Sequence, residues 1–167
     1  MAGEGRRAGV RIDDGSNQHA HPLLVETGLT DRLGFLLRYA QNLVWNDLVA
    51  AFEAFGLRPA HYSALLMLRA RPGCRQQDIG EALGIQRPNL VAMIETLERR
   101  GLIARAVNPA DRRSYALRLT GVGARTLDEM DVAHHAHEER VAALLAPMRP
   151  ETLLPGLRRL AGLDGAR

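Results

Sequence analysis

The chain has 167 residues, 46% hydrophobic and 25% charged; at that length folding can bury about 70% of the unfolded surface, so this is one domain's worth of material with a real core. A single cysteine excludes an intrachain disulfide and fits a reducing cytoplasm; no apolar run approaches the roughly 18 residues a spanning helix needs, and nothing reads as a signal peptide. All 22 basic residues are arginine, and 10 of them lie between Arg69 and Arg118 against 5 acids, while 12 arginines face 14 acids elsewhere. A local excess of positive charge in a chain of net charge +3 points to a phosphate-bearing partner.

Residues 1–22 are rich in Gly, Arg and polar groups and read as a flexible arm, with Arg6, Arg7 and Arg11 able to touch phosphates. Thr30 caps a predicted long helix running to about Phe55, whose stripe of Leu33, Leu36, Leu37, Ala40, Leu43 and Val44 is too wide for one small partner surface. Arg58 and Pro59 start a shorter helix, Ala60 to Ala70, carrying Leu65, Leu66 and Leu68.

Gln76 to Leu83 puts Ile79, Ala82 and Leu83 on one helix face, and Gly84 ends it in the conformation that closes a helix. After a turn through Ile85 and Gln86, a second helix spans Arg87 to Arg100, with Pro88 in its first turn and Leu90, Met93, Ile94 and Leu97 as its apolar stripe. Its opposite face carries Arg87, Asn89, Val91, Ala92 and Thr96, short or polar groups that leave room to approach base edges, as a recognition helix must.

Beyond Gly101, the runs Leu102 to Val107 and Ser114 to Leu119 read as a hairpin with Asn108 to Arg113 at its tip. The tip bears Arg112 and Arg113, guanidiniums suited to a narrow minor groove, with Asp111 placed to hold one of them. Thr120 opens another long helix, Gly121 to about Leu145, stopped by Pro147 and Pro150, and a last helix covers Glu151 to Leu163. The terminal helices flank the head at both ends of the sequence, so they can pair with their copies across a two-fold axis.

The segments Asp78 to Ile85 (DIGEALGI), Leu97 to Arg105 (LERRGLIAR) and Asp111 to Thr120 (DRRSYALRLT) resemble the winged helix-turn-helix of the MarR (multiple antibiotic resistance regulator) family, and the similarity extends over about Thr30 to Leu163. The resemblance implies a mainly α fold with a small β-hairpin wing and N- and C-terminal dimerisation helices. Its parts would be an arm at 1–22, a dimerisation region at 23–57, a DNA-binding domain at 58–120 and dimerisation helices at 121–167. It further implies that Gln86, Arg87, Pro88, Asn89, Val91 and Ala92 face the major groove, and that Arg113 reaches the minor groove with Asp111 bracing it. Many relatives carry arginine where this chain has Ala92, which shifts base contacts toward Arg87 and Asn89.

His134, His135 and His137, with Glu138, have metal-ligand spacing on a helix, but a solvated polar helix face is the favoured reading of them. Cys74 lies beside Arg71 and Arg75, charges that could lower its pKa and make it oxidisable; an ordinary small loop residue is the favoured reading, and a redox-sensing regulator the alternative. No Gly-rich phosphate loop, nucleophile elbow or paired-carboxylate motif appears, so neither an enzyme nor a cofactor is expected.

A signal of small size is expected in a cleft between the dimerisation helices and the head, lined by Arg38, Tyr39, Trp45, His61 and Tyr62. There Arg38 would neutralise an anion and the rings would contact an aromatic group. Asp31 to Gln41 (DRLGFLLRYAQ) resembles relatives that respond to phenolic acids or their coenzyme A thioesters; core packing of Trp45 and Tyr62 and a surface ion pair for Arg38 are the alternatives. The sequence thus reads as a cytoplasmic homodimeric repressor that binds duplex DNA at a palindromic operator and is released by a phenolic effector. A winged-helix module for a protein partner is the competing reading.

Overall fold

The apolar stripes close on one another only in the middle of the chain. The structure, a computed structural model, describes residues 21–108 and 111–165, and of 107, 108 and 111–115 it describes the backbone alone. In chain order the elements are α1 (Pro22–Glu26), α2 (Leu33–Ala51), α3 (Pro59–Ala70), α4 (Gln76–Leu83), α5 (Arg87–Arg99), β1 (Ile103–Asn108), β2 (Asp111–Leu119), α6 (Gly121–Leu145) and α7 (Pro150–Leu160), with 3-10 turns at Leu29–Asp31 and Glu53–Phe55. They form two units, Ala51–His134 and the remainder, Met1–Ala50 with His135–Arg167.

In the middle unit, here called the head, Phe52, Leu65, Leu68, Ile79, Ile94, Leu97, Leu117, Leu127 and Met130 are fully buried. β1 and β2 pair antiparallel from Ile103↔Leu119 to Val107↔Tyr115, and Asn108 pairs with Asp111 after an irregularity. An isolated bridge between Arg75 and Ala116, not anticipated, ties the loop after α3 to this two-stranded sheet: the Gly73 N–H donates to the Leu117 carbonyl at 2.8 Å, and the Leu117 N–H to the Cys74 carbonyl at 3.0 Å. Thr120 anchors the start of α6, since its hydroxyl donates to the Gly101 carbonyl at 2.6 Å and accepts the Gly123 N–H at 2.9 Å. A Cβ on Gly123 would fall inside the Leu102 carbonyl, so only glycine lets α6 begin this close to the wing. Farther along α6, Asp131 accepts hydrogen bonds from the Tyr62 hydroxyl at 2.7 Å and from Arg69 at 2.8 Å. These bonds hold its carboxyl below the usual range although burial pushes the other way.

The other unit contains α1, α2 as far as Ala50, α6 from His135, and α7. Among its described residues the buried side chains are Asp47 and His137, a carboxylate and an imidazole. Asp47 accepts from His137 Nδ1 at 2.7 Å and from Arg140 Nη2 at 2.7 Å. Its carboxyl stays below the ordinary value: burial raises it, and the Arg140 and His137 hydrogen bonds outweigh that. Meanwhile Leu33, Leu36, Leu154 and Leu160 are exposed.

Several sequence expectations are corrected. Thr30 does not cap a helix running to Phe55: it lies in a 3-10 turn, α2 starts at Leu33, and it ends at Ala51, where Phe52 enters the head core. The long tip Asn108 to Arg113 shrinks to two residues, because the backbone of Asp111, Arg112 and Arg113 belongs to β2. Pro150 starts α7 rather than stopping α6, since proline lacks an amide that a first turn would leave unpaired anyway. Pro22, placed in the arm, likewise opens α1; residues 1–20, including Arg6, Arg7 and Arg11, lie outside the described residues.

Candidate nucleic-acid interface

Two short helices and a turn position the candidate reading surface. Asp78 fixes the start of α4 by accepting the Arg75 backbone N–H at 2.9 Å and the Arg75 guanidinium at 2.6 Å, contacts that hold its carboxyl below the usual range. At the other end Gly84 sits at φ 64°, and the Ile85 N–H reaches back to the Gly80 carbonyl at 2.9 Å. This closure uses the left-handed conformation that glycine adopts without strain, and it sends the chain directly into α5.

Gln86 is the N-cap of α5, with Pro88 in its first turn. Leu90, Met93, Ile94 and Leu97 are buried, which turns the other side outward: Gln86, Arg87, Pro88, Asn89 and Ala92 are exposed, and Val91 and Thr96 half-buried. Thr96 is less available than its type suggests, because its hydroxyl donates to the Ala92 carbonyl at 2.8 Å and accepts from Arg99 at 3.4 Å. The open part of the helix is therefore its N-terminal half, where the helix dipole is positive and anions are favoured.

The arginines of the head divide into two sets. Arg69 pairs with Asp128 and Asp131, Arg75 with Asp78, and Arg105 with Glu98 at 2.8 Å, tying β1 to α5. Arg100 donates to the Phe55 and Gly56 carbonyls at 2.7 and 3.0 Å, closing the turn before α3. Much of the cluster counted in the sequence thus serves the fold. Arg71, Arg87 and Arg118 are exposed and form no ion pair among the described residues; of these only Arg87 is expected at the DNA from the sequence. The side chains of Asp111, Arg112 and Arg113 lie outside the described residues.

The expected effector residues fall in different units. Arg38, Tyr39 and Trp45 are on α2 and exposed. His61 and Tyr62 are on α3, where the His61 Nδ1 and the Tyr62 hydroxyl are engaged within the head. His61 Nδ1 accepts the Arg58 N–H at 2.9 Å; burial, helped by the charges of Arg58 and Arg100, lowers its pKa. Tyr62 is buried, with its ring 5.0 Å from Phe52 and stacked at 5.1 Å on His134.

Two expectations about reactive groups are revised here. The histidine run is not one solvated face: His135 is exposed, His134 is half-buried against Tyr62, and His137 is 1% exposed. Among the described residues no group of three His, Cys, Asp or Glu side chains is arranged to hold a metal ion. Cys74 is buried, and burial with the nearby Asp78 carboxylate raises its thiol pKa against the weaker pull of Arg71. This is opposite to the shift a redox-sensing thiol needs: burial dominates, and the Arg75 guanidinium is paired with Asp78. No described helix is long and apolar enough to cross a membrane.

A family model described as the MarR family matches residues 55–114. A protein of Thauera aromatica, named as a transcriptional regulatory protein for the hcr operon, is 31% identical over 149 residues, covering 84% of this chain and 86% of its own. Among solved structures, the transcriptional repressor CouR bound to a 23-mer DNA duplex is 41% identical with a TM-score of 0.75. CouR bound to p-coumaroyl-CoA is 38% identical with a TM-score of 0.71. Each of these two matches covers 80% of this chain and 94% of the other, so the winged-helix architecture is shared along most of both.

Proposed function

The chain belongs to the MarR family of transcriptional regulators, and from that premise we propose that it is a homodimeric, ligand-responsive repressor of a palindromic operator. The observation that carries this reading is the outward N-terminal half of α5. There Arg87 and Asn89 stand exposed beside the small Ala92, with no carboxylate bonded to Arg87 among the described residues. A guanidinium and an amide are the two side-chain types that address guanine and adenine edges bidentately, and Ala92 lets the helix sit deep. Arg71 and Arg118 supply phosphate contacts, and Arg112 and Arg113 on the wing are assigned to the minor groove with Asp111 as their brace.

Dimerisation is supported by the exposed leucines of α2 and α7, an apolar surface that one copy leaves in water. Two such heads would set their α5 helices about 34 Å apart, one turn of duplex. The effector is proposed to be an aromatic acyl thioester, as in the CouR complex, with Arg38, Tyr39 and Trp45 as contacts. His61 and Tyr62 are not among the proposed contacts: His61 Nδ1 accepts the Arg58 N–H, and Tyr62 is buried against Phe52 and His134 with its hydroxyl on Asp131. Release follows from population shift: the thioester lowers operator occupancy only by the difference in its affinity for the two dimer shapes.

Anisotropy of a labelled fragment from the chain's own upstream region, titrated with protein and then with p-coumaroyl-CoA, tests the whole scheme. Expected are tight binding that weakens steeply between low and physiological salt, release by the thioester, and a mass in solution of twice the 18.4 kDa chain. Equal affinity for scrambled duplex would refute operator reading.

A further inference from the structure

We propose that one side of α2 is a purine-nucleotide subsite in which Phe35, Arg38, Tyr39 and Asn42 hold the adenine and phosphates of a coenzyme A thioester. This rests on the effector reading given above and says which end of the effector α2 recognises.

The helical period puts these four residues on one side of α2, opposite the stripe of Leu33, Leu36, Leu37 and Ala40. Phe35 and Tyr39 stack, with ring centroids 5.7 Å apart and planes at 25°, and the Arg38 guanidinium carbon lies 5.8 Å from the centre of the Phe35 ring. Arg38 is the only charged residue from Leu33 to Asn46. It is exposed and has no ion pair among the described residues, and Tyr39 and Asn42 are exposed beside it. The combination is an aromatic platform, an exposed planar cation beside it and a primary amide along two turns of helix.

Each part matches a piece of an adenine nucleotide. Bases stack on aromatic faces, a guanidinium fork takes phosphate oxygens, and an asparagine amide fits the N6/N7 edge of adenine. The acyl end has no comparable use for Arg38, because forming the thioester consumes the carboxylate and leaves a neutral phenolic group. The negative charge of the molecule sits on its phosphates. A second protein copy is a worse occupant for this side, since burying an unpaired guanidinium in an apolar seam is costly, whereas the leucine side of the helix suits a copy.

Trp45, the only tryptophan, lies one turn beyond Asn42 on α2 and reports occupancy by its fluorescence. The full chain is titrated with p-coumaroyl-CoA, with adenosine 3′,5′-bisphosphate, and with the p-coumaroyl thioester of pantetheine, which lacks the nucleotide. Adenosine bisphosphate should bind and compete with the full thioester. Arg38→Gln should weaken the full thioester about tenfold or more and leave the pantetheine thioester within about twofold, with the thermal midpoint confirming an intact fold; Tyr39→Ala should do the same to a smaller extent. If the full thioester binds but the bisphosphate does not compete, or if Arg38→Gln weakens both thioesters equally, the subsite is wrong and the effector reading stands. If the wild-type chain binds no thioester, the effector reading fails and takes the subsite with it.

Discussion

In the head the least exposed side chains are phenylalanine, leucine, isoleucine and methionine; in the unit built from the chain ends they are an aspartate and a histidine, while Leu33 and Leu160 are each 67% exposed. The two regions have similar apolar content in sequence, so composition does not explain the contrast. The head's stripes meet one another across short connections, and each buried leucine offsets the entropy of ordering its neighbours. Among the described residues the end helices have leucines with no side chains packed over them, and what is buried there is a cluster of polar and charged groups that fixes geometry more than it adds stability. The head forms its core within one chain, whereas the ends leave an apolar surface that the proposed dimer would cover.

The sharpest way to break that contrast is Asp47→Ala. It removes the acceptor that His137 and Arg140 share, and removing one member of a buried charge cluster costs about 3–5 kcal/mol. Denaturant unfolding should show the loss in full, whereas converting Asp47 and His137 together to leucine should recover most of it. Recovery would mean that the cluster sets register; failure to recover would mean that the ions themselves stabilise the unit.

Next comes the same truncation in both regions. Leu97→Ala in the head should cost about 2–5 kcal/mol, since Leu97 is fully buried. Leu157→Ala on α7 should change the unfolding of dilute monomer by less than about 0.5 kcal/mol and weaken self-association instead, which sedimentation over a range of concentrations measures. A large loss in monomer stability from Leu157→Ala would erase the distinction drawn between the regions.

The same contrast explains what the sequence made legible. α4 and α6 run where their local signals place them, because Gly84 and Thr120 make short-range bonds that punctuate the chain. α2 was misread at both ends: a 3-10 turn precedes Leu33, and Phe52 leaves the helix to fill the head core, a tertiary demand that local periodicity does not register. His137 read as solvated because its partner, Asp47, stands 90 residues away in sequence. The isolated bridge that ties the loop at 73–75 to β2 was hidden for the same reason, having no alternating pattern of its own. Within the candidate site, the outward face of α5 was readable from its stripe, but which arginines the fold consumes was not. That depends on carboxylates and carbonyls contributed by other elements.

On the reading surface, Arg87→Ala should cost about 1–3 kcal/mol of operator affinity if the guanidinium addresses a base edge, with no change in unfolding because the side chain is exposed. Competition with scrambled duplex separates the possibilities: a loss confined to the operator marks a base contact, and an equal loss on both makes Arg87 a phosphate clamp.

The smallest effect expected is one of pH, and it also sorts the two regions. His61 caps α3 through a nitrogen that must be unprotonated to accept the Arg58 N–H, and burial holds its pKa below the ordinary value. The unfolded chain therefore binds the proton more readily, so the stability His61 contributes is present above about pH 6.5 and drains away as pH falls through the lowered folded value. Asp47 also has a lowered pKa, but for a carboxylate the loss begins only below about pH 4. Between pH 7 and 5, then, amide protection, corrected for the intrinsic exchange rate at each pH, should fall at the first turn of α3 while the turn of α2 around Asp47 holds. His61→Asn keeps an acceptor in place without a proton to gain, so it should flatten the α3 response; an unchanged slope in that variant would assign the acid sensitivity to another group.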